Sequence, residues 1–314
     1  MKNLDFDDED NNEATDELVS AVTLRQEKLS DALSLASTLS SEKQARKREQ
    51  ALRLIFKCVT QYAIGESGRE LVEERLDNAI IPACTVGLRG GVSSPAEQYA
   101  ACRVLEATSI ILGGDMDEYC DAIDELLRKV IKATGRSPQV RGAALRALSM
   151  AHFICASDVH GSNTVLDLCE SVCAPKFRGE EVAPTLRAIA LDCWALLSTT
   201  VDDAYLAGDE VAGGYGSGRG VIILPLLSDC LNLSNVDLRC AAGECVALIH
   251  EARLNLGIDD EGENASERRF RRGKKIYLII QSFLVFYLLL IIITIIITII
   301  ITIIIIILDI YHCE

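Results

Sequence analysis

Apolar and polar residues repeat the same short pattern five times along this chain. In three copies the pattern reads Pro-x-x-[Arg/Gln]-x-x-Ala, and apolar residues follow it at the spacing of a helix with a buried face. The copies begin at Lys43, Ser94, Ser137, Ala183 and Val236, and their central alanines are Ala51, Ala101, Ala144, Ala190 and Ala242. These alanines are 50, 43, 46 and 52 residues apart, which is a period typical of stacked helical repeats.

Each copy carries the signals of a helix start. Pro95, Pro138 and Pro184 suit the first helical turn, where the missing N–H of proline has no partner to lose. Ser94 and Ser137 precede two of these prolines and are typical N-cap residues. The alanine that follows is small enough for two helices to cross closely.

Apolar-periodic segments lie between the copies and predict partner helices. They are 70–88, 116–133, 164–174 and 221–233. The alternation that marks a half-buried strand is absent. The sequence therefore predicts an all-α solenoid of about five helical repeats over residues 29–257, similar to armadillo and HEAT repeats.

The charges of the chain are unevenly placed. Its formal net charge is −15, and the first 17 residues hold eight acidic side chains and one lysine, so we expect 1–28 to be a disordered acidic arm. Sequence-specific DNA binding is disfavoured because phosphate contacts need a basic face. One basic cluster, from Lys43 to Arg53, is interpreted as a solvated helix face.

Twelve cysteines raise the question of metal or disulfide sites. No Cys-x-x-Cys pair occurs, and most cysteines stand in apolar helical runs, which is typical of reduced core residues. The best metal candidates, Cys169 with Cys173 and Cys240 with Cys245 and His250, lack the close pairs of zinc sites. We therefore predict no metal and no cofactor.

Catalytic motifs are also lacking. The glycine-rich run 213–220 matches neither G-x-G-x-x-G nor a Walker loop, so we interpret 202–220 as a flexible loop between repeats. No histidine stands in a recognisable nucleophile setting. The prediction is a protein that is not an enzyme and has no small-molecule substrate.

The fifth copy, VDLRCAAGECVALIHEARLNL, resembles the end of the N-terminal domain of the interferon-related developmental regulator family. SLASTLSSEKQARKREQAL near the start, the segment 74–80, Gln98-Tyr99-Ala100-Ala101 and Thr199-Thr200-Val201-Asp202 add to this resemblance in the same order. The resemblance covers about residues 29–256.

The resemblance implies a regulator that works through protein complexes. It implies co-regulation of gene expression in differentiation, location in cytoplasm and nucleus, and protein partners, with ribosome-associated translational repression as the alternative. Four arginines, Arg48, Arg141, Arg187 and Arg239, each stand three residues before the central alanine of their copy. We consider two roles for them, contact with acidic partner segments and structural pairing between repeats.

The C-terminal part departs from the family. A charged linker (258–275) precedes 276–308, which holds no charged residue, and a short tail (309–314). The uncharged run is long enough to span a bilayer, and its basic flank predicts a tail-anchored adaptor that faces the cytosol. Because 291–307 contains only Ile and Thr, and Gly273-Lys274 can be encoded by a splice-donor sequence, a retained intron from about Gly273 is the other hypothesis, which transcript sequencing tests.

Overall fold

The computed structural model describes residues 9–157, 159–208 and 218–256, with side chains from residue 22 and, after the gap at 158, from residue 161. The predicted segments 258–275, 276–308 and 309–314 lie outside these residues. The helices in chain order are α1 (Glu9–Thr38), α2 (Ala45–Tyr62), α3 (Gly65–Glu74), a π-helical turn (Leu76–Ile80), α4 (Ile81–Gly87), α5 (Pro95–Leu112), α6 (Asp117–Lys132), α7 (Pro138–Ile154), α8 (Val159–Cys173), α9 (Pro184–Ser198), α10 (Asp203–Ala207), α11 (Arg219–Leu231) and α12 (Val236–Leu256). The all-α prediction is confirmed.

All five copies of the repeated pattern fall in helices, namely α2, α5, α7, α9 and α12, which we call the repeat helices. α5 packs between α2 and α7, and α7 packs in turn on α9. Partner helices cover them in the predicted order, with α4 on α5, α6 on α7 and α8 on α9. The described residues up to Arg253 form one compact unit.

The central alanines lie where the repeat helices cross. Ala101, Ala144, Ala190 and Ala242 have no exposed surface, and Ala51 is also buried. A second small residue contributes to the closest approach: a Cβ added to Gly87 would lie 3.0 Å from the Cβ of Ala101. Larger side chains at these crossings would force the helix axes apart, which explains the period of small residues.

The helix starts follow the predicted capping chemistry. Ser94 Oγ accepts a hydrogen bond from the Glu97 amide at 3.1 Å, and Ser137 Oγ accepts one from the Val140 amide at 3.3 Å. α9 also begins with a proline, but Ala183 at its N-cap provides no side-chain acceptor.

Replacing Ser137 by alanine is expected to lower the free energy of unfolding by about 1 kcal/mol, because the Val140 amide loses its acceptor. The reverse change, Ala183→Ser, should stabilise the chain by about 0.5–1 kcal/mol. Urea unfolding followed by circular dichroism measures both. Two changes of the same sign would contradict this assignment of the N-caps.

The N-terminus differs from the prediction. α1 begins at Glu9, so the described part of the expected disordered arm, residues 9–28, is helical. The C-terminal half of α1 buries Leu29, Leu33 and Ala36, and α1 packs on α2. Once that half is docked, each further residue extends an existing helix without a new nucleation cost, which charge patterning alone does not reveal.

A small hairpin between α8 and α9 is a second difference. β1 (Lys176–Phe177) pairs with β2 (Glu180–Glu181) in antiparallel register. Arg178 and Gly179 both have positive φ, as a two-residue type I′ turn requires. Strands of two residues are too short to produce the alternation by which sequence reveals a strand.

The two ends of the glycine-rich loop lie against each other. A Cβ added to Gly218 would lie 2.2 Å from the backbone nitrogen of Gly208, so this close approach requires glycine. Arg219, the first residue of α11, donates to Glu170 of α8 at 2.7 Å and to Tyr205 of α10 at 3.1 Å. The residues between the two glycines, 209–217, lie outside the described part of the loop predicted at 202–220.

Candidate protein-interaction surface

The four arginines of the repeated pattern have the same structural role, which the sequence alone did not decide. Each donates to a main-chain carbonyl of the segment that precedes its repeat helix. Arg141 Nε binds the carbonyl of Ile131 at 2.9 Å and Arg187 Nε binds that of Cys173 at 2.6 Å, both in the last turn of a partner helix. The last carbonyls of a helix lack intrahelical donors and carry partial negative charge, so a cation there stabilises the partner helix.

Burial separates these arginines. Arg48, Arg141 and Arg187 are 3–6% exposed, whereas Arg239 is exposed and donates to the carbonyl of Leu233 at 3.3 Å. In the second copy Gln98 occupies the arginine position, and its side-chain amide donates to the carbonyl of Ser93 at 2.9 Å. Three of the four arginines are therefore inaccessible to a partner protein.

The side chain two residues after each central alanine is instead turned toward solvent. We call these residues the charge row: Arg53, Arg103, Arg146, Asp192 and Glu244. Arg103 is partly exposed and the other four are exposed. Because the repeat helices pack side by side in chain order, the charge row crosses them with cations in the first three and carboxylates in the last two.

The basic half of the charge row is braced by neighbouring side chains. Arg53 pairs with Glu49 at 2.9 Å and Arg103 pairs with Glu106 at 2.7 Å. The Arg103 guanidinium also lies 5.0 Å from the centre of the Phe56 ring on α2. A cation over an aromatic face is held in place while its outer N–H groups remain available to a ligand.

The acidic half surrounds a cavity of about 360 Å³ between α7, α9 and α12. Its charged lining is Arg146, Asp192, Asp237 and Glu244, and Cys240 lies among them. Cys245 Sγ donates to the carbonyl of Leu191 at 3.5 Å, which ties α12 to α9 below the cavity. Three carboxylates around one arginine make this end of the surface negative.

Partial burial raises the pKa of Asp192, and the carboxylates of Glu244 and Asp237 raise it further against the opposing charge of Arg146. Ionisation of Asp192 therefore opposes folding. The neutral carboxyl group of Asp192 therefore favours the folded state: this contribution is fully present below the unfolded pKa of about 3.9 and is lost as the pH rises through the raised folded pKa.

Asp192→Asn should consequently stabilise the chain at pH 7, by less than about 1 kcal/mol because Asp192 is still exposed enough for water to screen it. The gain should vanish below about pH 4. Urea midpoints of both chains across this range measure it. A gain that persists at low pH would show that the neighbouring carboxylates do not act on Asp192.

Two helical turns beyond Arg103 and Arg146, about 10 Å along the helix axes, the same face is apolar. Ile110 on α5 and Phe153 on α7 occupy equivalent positions, nine residues after their central alanines, and are 49% and 37% exposed. Large apolar side chains exposed at equivalent positions of packed helices are typical of binding surfaces. The charge row, the cavity and these two side chains form the candidate interaction surface.

Sequence reasoning missed this surface although its signal was present. The spacing from each central alanine identifies the charge row once the alanines are known to be buried. The arginine three residues before each alanine, which is the more visible repeated feature, faces the partner helix. Glu97, which is buried and binds Arg48, was not predicted, because nothing local marks a glutamate as a core residue.

The cysteines considered as metal ligands differ in their exposure to solvent. Cys169, Cys173 and Cys245 are buried, whereas Cys240 is exposed. Within the described residues, no group of three or more His, Cys, Asp or Glu side chains is placed to hold a metal ion. Burial raises the pKa of Cys102 and of Cys193 to about 12, so these thiols are poor nucleophiles at neutral pH.

Cys240 is expected to be the one fast-reacting thiol among the described cysteines, because the other ten are buried. In a chain carrying Cys313→Ser, an aromatic disulfide reagent should modify one thiol at least about 100-fold faster than the rest, which react only through local opening. Adding Cys240→Ser should abolish the fast phase. A fast phase of two or more thiols would show that the helix packing is looser than described.

Across residues 9–157, 159–208 and 218–256, no helix is long and apolar enough to cross a membrane. The predicted span, 276–308, lies outside them. The anchor and the retained intron therefore both stay predictions.

Comparison with known proteins extends the resemblance at both ends. The family model described as interferon-related developmental regulator matches residues 3–282. The mouse protein interferon-related developmental regulator 2 is 28% identical over 173 residues, which are 52% of this chain and 37% of the relative. The expected limits of the resemblance, 29 and 256, are therefore too narrow, and the match ends nine residues after Gly273. The aligned part spans well under two thirds of that relative.

Proposed function

Because this chain belongs to the interferon-related developmental regulator family, we propose that it is a non-enzymatic scaffold that co-regulates gene expression by holding protein partners on its repeat helices. The description of the family names a regulator and no reaction. The proposed locations are cytoplasm and nucleus.

The observation that carries the proposal is the candidate interaction surface. Stacked repeats present equivalent positions at regular intervals, so a row of exposed side chains offers successive contacts to one partner. The buried positions of the same helices hold mainly small and aliphatic residues, together with the capping arginines, Glu97 and Trp194. Folding leaves the charge row at the surface, where a partner can reach it.

Charge reversal on this surface tests the proposal in cells. The test variants are Arg103→Glu and Asp192→Arg, because Arg103 is partly exposed and Asp192 is exposed. Lys129→Glu is the matched control, because Lys129 is 69% exposed and lies on α6, which is not a repeat helix. Transcript profiles and captured partners should change with the first two variants and stay like those of the parent with the control. Equal profiles for all four chains would overturn the scaffold proposal.

A second candidate, a ribosome-associated translational repressor, is favoured by the basic half of the surface, where Arg46 and Lys57 on α2 add to Arg53. It predicts co-sedimentation with ribosomes that weakens with added salt and with Arg103→Glu, because phosphate contacts release counterions. Co-sedimentation that Arg103→Glu leaves unchanged would exclude this surface as the ribosome contact.

A third candidate, a tail-anchored adaptor, depends on residues outside the described part of the chain. A fluorescent fusion of the full chain and one of a chain ending at Gly273 separate it from the soluble scaffold. Membrane location of the full chain alone would favour the adaptor, and the same diffuse location for both would exclude it.

A further inference from the structure

We propose that the charge row binds one extended segment of a partner protein in which a block of acidic residues is followed by a block of basic residues. The inference rests on the proposed scaffold function and specifies the partner of the same surface. Acidic residues lie against α2 and α5, and basic residues lie against α9 and α12.

The charges of the surface follow a fixed order along the repeat helices. Exposed cations line α2, where Arg46 and Lys57 flank Arg53, and continue through Arg103 to Arg146. Carboxylates then follow at Asp192, Asp237 and Glu244 around the cavity. A ligand that follows the row meets one change of sign, and it is complementary only if its own charges change sign once.

The acidic end of the surface disfavours a nucleic acid as the main ligand. A phosphate backbone carries the same negative charge at every step, so it matches the arginines and is repelled by the three carboxylates at the other end. Burial is the main cause of the raised pKa of Asp192, and the neighbouring carboxylates of Glu244 and Asp237 raise it further. A polypeptide can carry both signs in sequence.

The cations of the basic half are preorganised for binding. Arg103 is held by Glu106 at 2.7 Å and by the Phe56 ring, and Arg53 is held by Glu49 at 2.9 Å. Glu106 is 13% exposed and Glu49 is 23% exposed, whereas Arg53 is 66% exposed. The surface therefore presents cations to a ligand while their counter-ions lie below them, and little side-chain freedom is lost on binding.

The length of the charge row sets the length of the ligand. The five repeat helices make four steps of about 8–10 Å, which an extended segment of about 10–12 residues spans.

Purified full-length chain and labelled 12-residue peptides test the inference by fluorescence anisotropy. One peptide carries five acidic residues, two leucines and five basic residues in blocks, and the second has the same composition with alternating charges. We expect the blocked peptide to bind at least about tenfold more tightly than the alternating one, and to weaken as salt screens the contacts. Equal affinity for the two peptides would overturn the inference.

Variants place the peptide on the surface. Arg103→Glu and Asp192→Arg should each weaken the binding of the blocked peptide at least about tenfold, and Lys129→Glu should leave it unchanged. Intrinsic fluorescence of Trp194 verifies that each variant is folded. An unchanged affinity in both charge-reversal variants would place the peptide elsewhere and overturn the inference.

Single-stranded RNA provides the competing outcome. Oligouridine of 12 nucleotides should bind more weakly than the blocked peptide, and tighter binding would assign the surface to nucleic acid. Because these measurements use purified components, they fail independently of the cellular assay. If the purified chain did not bind the blocked peptide but the surface variants still changed partner capture in cells, the charge-block inference alone would be refuted. If the peptide bound but the variants left the transcript profiles unchanged, the regulatory function alone would be refuted.

Discussion

Replacing Glu97 by alanine is expected to lower the free energy of unfolding by about 3–5 kcal/mol. Glu97 on α5 is fully buried and accepts two hydrogen bonds from Arg48 on α2, from Nε at 2.6 Å and from the second terminal nitrogen at 3.1 Å. Without Glu97 the Arg48 guanidinium keeps its charge in the interface between the first two repeat helices. The uncompensated buried charge, rather than the lost contact, produces most of the effect.

The double variant Arg48→Met/Glu97→Leu should recover much of this loss, because it removes both charges and leaves apolar side chains of similar size. Glu125→Ala is the matched control, since Glu125 also pairs with a cation but is 81% exposed, and it should change stability by less than about 0.5 kcal/mol. Urea unfolding measures all of them, and hydrogen exchange should locate the loss in α2 and α5. A double variant as unstable as Glu97→Ala would show that shape, not charge, governs the site.

Replacing Trp194 by alanine is the second change with a large expected effect, about 3–5 kcal/mol. Trp194 on α9 is the single tryptophan of the chain and has no exposed surface. Its indole N–H donates to Glu170 on α8 at 2.9 Å, and Glu170 also binds Arg219 at the start of α11. The substitution therefore creates a cavity and removes one contact from a carboxylate that joins three helices.

Trp194→Phe is the intermediate variant, because it keeps an aromatic ring in the core, removes the hydrogen bond to Glu170 and leaves a smaller cavity than alanine does, with an expected loss of about 1–3 kcal/mol. Phe153→Ala is the control, since Phe153 is an aromatic residue that is partly exposed, and should cost less than about 1 kcal/mol. Far-UV circular dichroism during urea unfolding follows all three variants. If Trp194→Phe were as unstable as Trp194→Ala, the bond to Glu170 would dominate.

The sequence predicted the repeat helices because each start combines local signals that act within a few residues. Pro138 in the first turn and Ser137 at the N-cap determine where α7 begins, whatever packs against it. The buried alanines were predictable for the same reason, since their period repeats in the chain. The hairpin at Lys176 was not predictable, because its strands are too short to show an alternating pattern. The helical state of residues 9–28 was not predictable either, because it depends on the docking of the C-terminal half of the same helix.

The candidate site was predicted only as a class of surface. The arginines of the repeated pattern were recognised as a repeated feature, but their position in the sequence is compatible both with contact to a partner and with helix capping. Only the packed structure shows that Arg141 reaches the carbonyl of Ile131, ten residues earlier in the chain. The charge row could have been read from the same register, had the buried side of the helices been known.

The sequence by itself determined the all-α class, the five helix starts and the crossings at small residues, because these depend on capping, backbone restriction and spacing along one chain. Tertiary structure alone decided which charges are structural and which are exposed. A side chain three residues before each alanine and another two residues after it lie on different sides of one helix. Packing against the partner helices buries Arg48, Arg141 and Arg187 and leaves Arg53, Arg146 and Asp192 facing water. Burial depends on residues that are about 40–50 positions away in the next repeat, and no local pattern encodes that contact.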